Sequence, residues 1–136
     1  VEKPEHWRRS VYLMVPRFST HPVLRMFDPA DTFASLGART VSTTPSSALF
    51  MFNAPFLWKQ AELLATRVRQ EAGPEPAAQV KHLYELSFAR PPTKAELALG
   101  VAFLKQPAPT SPKNVRPTLV HYCHAIMGLN EFIFIR

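Results

Sequence analysis

The stretch from Asn53 to Gly73 carries both its own start and its own stop, and it limits what the chain can become. Asn53 is a residue type that caps the free backbone donors of a first helical turn. Pro55 stands in that turn, where its missing N–H costs nothing. Leu57, Ala61, Leu64 and Val68 recur at steps of four and three, so they line one face of a helix. Lys59, Glu62, Arg69 and Gln70 fall off that face. Gly73 can take the left-handed conformation that ends a helix, and Pro74 blocks continuation. A helix with one apolar face needs apolar partners, and the remaining segments must supply them.

Prolines cut those segments apart. There are 14 in 136 residues, about twice the usual share. Thr44-Pro45 is a helix-start pair, and the helix it opens ends near Asn53. Ala77 to Ala89 reads as a helix with Val80, Leu83, Tyr84 and Phe88 inward and Gln79, Lys81, His82 and Glu85 outward. Thr93-Lys-Ala-Glu96 is a capping box, in which hydroxyl and carboxylate each satisfy one orphan donor. The helix behind it is apolar nearly all round, from Leu97 to Leu104, and is expected to be the most buried. Gly100 inside it costs about 1 kcal/mol relative to Ala, which points to close approach of a neighbouring helix. Pro107 to Pro112 is an extended link. Val115, Leu119, Tyr122, Cys123 and Ile126 form the face of the last long helix, with Gly128 at its end. Asn130 to Ile135 is an apolar tail expected to dock on the bundle. Towards the N-terminus, Arg9 to Val15 fits a strand or turns of buried helix equally well. Ala30 to Thr44 is a long loop-like stretch. The expectation is an all-α fold over residues 1–136, an irregular bundle of four or five helices with a long N-terminal loop region. The chain opens on Val1 rather than Met, and it reads as an excised piece of something longer.

Net charge is +6, but the basic residues are scattered, with no run of five. That pattern is a solvated surface and argues against nucleic acid as partner. One cysteine excludes an internal disulfide. No stretch approaches the ~20 apolar residues of a membrane span. Without a Cys-x-x-Cys-His motif the segment holds no c-type haem, and no cofactor is expected.

Three groups are candidates for chemistry. His121 and His124 stand three apart on one helix, suited to two metal ligands, but no third ligand motif accompanies them and no metal is expected. Asp28 and Asp31 with His21 can form an acid/base or ion-binding group in the long loop. The competing reading is local: Asp28 before Pro29 makes a turn, and Asp31 caps a helix starting near Thr32. Arg8, Arg9 and Arg39 are the binding candidates, able to pair with those carboxylates as a clamp or pocket. Glu131 is a further acid/base candidate, although Asn130 and Glu131 also suit fastening the tail by hydrogen bonds. Ser42 to Ser47 lacks a nucleophile elbow, so its hydroxyls read as caps. Trp7 and Trp58 can stack on sugars, or pack.

The order of several pieces resembles a known family. They are Arg8-Arg-Ser-Val-Tyr12, Phe27-Asp28 with Asp31, Arg39-Thr-Val-Ser-Thr-Thr-Pro45, Ala48-Leu49, Asn53 with Pro55-Phe56, Leu83-Tyr84, Arg90-Pro-Pro-Thr93 with Glu96-Leu97, and His124-Ala125 with Asn130-Glu-Phe132. Together they look like the planctomycete-specific C-terminal domain, family 1553 of the domains of unknown function. Ser47 stands where that family usually has glutamine, and Ser35-Leu36 where it often has Ser-Cys. The resemblance implies the end of a large exported multidomain protein, periplasmic or at the cell surface. Companion domains there are often cytochrome c-like, and some are carbohydrate-binding. It implies no particular activity. The first expectation is therefore a non-enzymatic interaction or architectural module that contacts preceding domains of its own polypeptide. The alternatives are an enzyme domain acting on polysaccharide and a carbohydrate-binding module.

Overall fold

The proline punctuation sets the helix starts. The computed structural model describes residues 12, 37, 45–107 and 116–133. Among them all regular structure longer than one residue is helical, as the pattern predicts. Apart from Tyr12 and Gly37, the Arg9–Val15 run and the loop before Pro45 lie outside the described residues. The chain divides into two units, Val1–Phe52 and Asn53–Arg136.

In the first unit α1 (Pro45–Asn53) begins at Pro45, where the Thr-Pro pair places it. Ser47 is buried, whereas Leu49 and Phe52 are exposed. This helix runs into the first residue of the second unit, so Asn53 ends a helix rather than capping the next one. The N-cap of α2 (Pro55–Ala72) is Ala54, whose side chain makes no cap hydrogen bond. Proline at the first position compensates by having no donor to satisfy.

The second unit is built on α2. Leu57, Ala61, Ala65 and Val68 are buried, a face rotated slightly from the expected one, with Ala65 taking the place of Leu64. Gly73 ends the helix at φ 75°, its N–H donating to the Arg69 carbonyl. There follow α3 (Pro76–Phe88), α4 (Lys94–Leu104), α5 (Thr118–Met127) and the short α6 (Asn130–Ile133). Each of α2 to α5 packs on its neighbour in sequence, and α5 returns to lie along α2 in the most extensive pairing. The core is the space between these four, where Val68, Val80, Leu83 and Cys123 are fully buried. As expected, α6 docks on the bundle, against α3 and α5.

Two expectations are corrected. Gln79 was placed outward by helical spacing, yet it is buried: its Nε2 donates to the Gly73 carbonyl at 2.6 Å and ties α3 to the end of α2. A buried amide is tolerable because it is bonded. The helix α4 is not the most buried. Only Gly100 is buried, and Leu99 is 72% exposed. The apolar residues on its outer side are mainly alanines, which gain little from burial. Gly100 itself behaves as expected. A Cβ there would lie 2.5 Å from Tyr122 Oη and 2.9 Å from Val80 Cγ2, so only glycine admits α3 and α5 this close.

Candidate functional site

Arg90 is the point on which the chain's motif residues converge. It follows Ala89, which ends α3 in the left-handed region at φ 53°, a conformation that costs an alanine energy and turns the chain sharply. The guanidinium then lies 5.5 Å from the ring centroids of both Tyr84 and Phe88. Its Nη1 donates to Glu96 Oε2 at 3.0 Å and its Nη2 to Glu96 Oε1 at 2.9 Å. Its Nε donates to Glu131 Oε1 at 2.6 Å, while Nη2 also donates to Glu131 Oε2 at 2.8 Å. The remaining bond, from Nη1, goes to the Pro91 carbonyl. One planar cation thus fastens the end of α3 to the start of α4 and to α6, using the fork geometry that only arginine offers.

Glu96 has a second duty. Its Oε2 accepts from the Thr93 N–H at 2.7 Å while its own N–H donates to Thr93 Oγ1 at 3.3 Å, so the expected capping box is complete. Arg90 first, then the Thr93 backbone, hold the Glu96 carboxyl at about 2, well below its ordinary 4.5. Glu131, and then Glu96, raise the Arg90 guanidinium further above its already high value. Both carboxylates are engaged by the one guanidinium, and Glu131 thereby fastens the tail.

A second cluster surrounds Trp58. His124 stacks on the indole at 3.8 Å between centroids and 8° between planes, and His121 meets it edge-on at 5.3 Å. Arg116 lies over the same indole at 4.8 Å, and its Nε donates to Glu62 at 3.0 Å. Trp58 is therefore packed between α2 and α5 rather than presented for sugar stacking. His121 and His124 do come together, across the indole. Among the described residues no group of three His, Cys, Asp or Glu side chains is placed to hold a metal. Cys123 points into the core, where burial pushes its thiol up to about 12.

A third contact, at the surface, joins α2 to α3. Glu71 accepts from Arg67 Nε at 2.8 Å, and its other oxygen lies 2.6 Å from His82 Nε2. A carboxylate only accepts, so Nε2 carries the proton. Arg67 and then His82 lower the Glu71 carboxyl. Tyr84 is buried and Tyr122 half-buried, and burial raises both phenols. His21, Asp28, Asp31, Arg8, Arg9, Arg39 and Trp7 lie outside the described residues. Sequence alone gives Glu96 its capping role but gives Arg90 none, and does not join the two. The signal available was an arginine closing one helix, with a capping-box glutamate six residues on.

No helix among the described residues is long and apolar enough to cross a membrane. No curated protein and no solved structure matches the chain. One family model matches residues 1–104, ending at the last residue of α4, so that Arg90, Thr93 and Glu96 fall within it and Glu131 beyond it. The chain belongs to that family, PSD1, described as protein of unknown function (DUF1553).

Proposed function

We propose that this chain is a non-enzymatic interaction or architectural module of a large exported protein, engaging preceding domains of the same polypeptide. The observation that supports this reading is the use made of its polar motif residues. Arg90, Thr93, Glu96 and Glu131 are joined to one another in fastening three helices. An acid/base group must be free to reach a reacting atom, and these carboxylates are held by two or more donors each. The export context rests on the resemblance described above.

The competing reading is an enzyme domain acting on polysaccharide, with Asp28, Asp31, His21 or Glu131 as acid/base groups. What favours it is that Asp28, just before the long loop-like stretch, is among the residues that carry the resemblance. Two measurements separate the readings. Calorimetric titration of the chain with the remaining domains of its parent polypeptide is expected to show a one-to-one complex. Asp28→Ala in the parent protein is expected to leave any polysaccharide-directed activity unchanged. Absence of a complex, together with loss of activity in a folded Asp28→Ala protein, would overturn the proposal. A carbohydrate-binding module is the remaining alternative. It predicts saturable binding in a glycan panel, and the packing of Trp58 removes one of its two aromatic platforms.

A further inference from the structure

We propose that α6 is a strap that undocks from the four-helix core without unfolding it, and that the Arg90–Glu131 fork is its lock. No residue of α6 is buried: Phe132 is 38% exposed, and Leu129, which leads into it, 44%. Its backbone bonds are largely its own, since the N–H groups of Phe132 and Ile133 both donate to the Leu129 carbonyl. An element with little buried apolar surface opens at low free energy. What the strap does have is the pair of short, charge-assisted bonds from Arg90 Nε and Nη2 to Glu131.

Arg90 has further contacts, and these lie within the core. Arg90 keeps both bonds to Glu96 and the bond to the Pro91 carbonyl, and it stays over Tyr84 and Phe88. Glu96 goes on capping α4 through Thr93. The guanidinium is thus seated from one side by the core and offers its other edge to the strap. Opening frees the Nε–Nη2 edge while every core contact persists. The device is distinct from the proposed module role, and neither depends on the other.

Hydrogen exchange on the whole 136-residue chain tests it, read amide by amide by NMR. In the unsubstituted protein the amides of Phe132 and Ile133 are expected to exchange at least tenfold faster than the fully protected amides of α5. Glu131→Gln, which keeps the side-chain shape, is expected to speed them at least a further threefold. It should leave α2 to α5 protection and the thermal midpoint unchanged. Equal protection of α6 and α5 would overturn the strap, and so would a fall in core protection in step with α6 in the variant. An unchanged α6 rate in Glu131→Gln would overturn the lock. A second variant, Phe132→Ala, thins the apolar contact and leaves the fork. It should speed α6 exchange without touching the core, and core destabilisation would count against independent opening.

Discussion

Gly100→Ala sets two known effects against each other, and the structure says which wins. Replacing glycine by alanine inside a helix is worth about 1 kcal/mol of stability when the site is open. Here the new methyl would stand 2.5 Å from Tyr122 Oη, 3.0 Å from Tyr122 Cζ and 2.9 Å from Val80 Cγ2. Neither neighbour yields easily. Val80 is fully buried on α3, and the Tyr122 ring packs against Phe103 at 5.7 Å between centroids. Overpacking of this kind costs about 1–3 kcal/mol, so the net effect is a loss of about 1 kcal/mol. For a chain of this length that lowers the thermal midpoint by about 4 °C. Urea unfolding followed by circular dichroism measures it, with an unchanged slope as the sign that only stability moved. Tyr122→Phe removes the nearest clashing atom. In that background Gly100→Ala should be milder by about 0.5–1 kcal/mol, a coupling within the range for residues in contact. Stabilisation by Gly100→Ala in the parent, or no coupling with Tyr122→Phe, would refute the argument that α4 lies this close to α3 and α5.

Three further outcomes follow from named groups. The Glu96 carboxyl titrates near 2 in the folded chain against an ordinary 4.5, so the unfolded state binds more protons between those values. Its contribution is complete above pH 4.5 and disappears as pH falls through 2. The whole shift corresponds to about 3.4 kcal/mol, but the side chain keeps 31% of its surface, so about 1 kcal/mol is expected after solvent screening. Glu96→Gln should therefore lower stability at pH 7 by about that amount and by much less at pH 2, measured by urea titration at both values. Ala89→Gly relieves the left-handed cost of about 1–2 kcal/mol, offset by about 0.4–1 kcal/mol of added freedom in the unfolded chain. A small net gain of about 0.5 kcal/mol is expected, and a clear loss would mean the Ala89 methyl matters. With its thiol at about 12 instead of 9.0, Cys123 should react about 10³-fold more slowly than an exposed cysteine with a disulfide reagent at pH 8, until denaturant releases it.

Signals that act within a few residues were legible in the sequence. The Thr93–Glu96 box, Pro45, Pro55 and Gly73 each fix local backbone, and each stands where it was read. Signals that depend on which way an element faces were not. Period places Gln79 outward on α3, but the nearby Gly73 carbonyl gives its amide a buried partner. Apolar content places α4 in the centre, but one of its sides is closed by Gly100 against Tyr122 and the other is left to small residues and Leu99. Asn53 has the chemistry of a cap, yet the preceding helix claims it. The Arg90 hub depends on Glu131, 41 residues away, and no periodicity connects two such positions.

That hub also bears on what a sequence signature means. Arg-Pro-Pro-Thr followed by Glu at a fixed spacing has the look of a binding motif: a forked cation, rigid backbone and a carboxylate. In the folded chain each part has a structural use. The prolines carry the chain from the left-handed turn at Ala89 to the cap at Thr93, the threonine caps α4, and the glutamate both completes the cap and holds the arginine. Arg90 then reaches Glu131 with the donors left over. Changing Arg90 to Lys would keep the charge but lose the fork, since an ammonium cannot bridge two carboxylates in parallel pairs. A motif fixed by such mutual dependence specifies the angle between helices. It can be strict in residue type without touching a ligand, and in this chain these residues join helices.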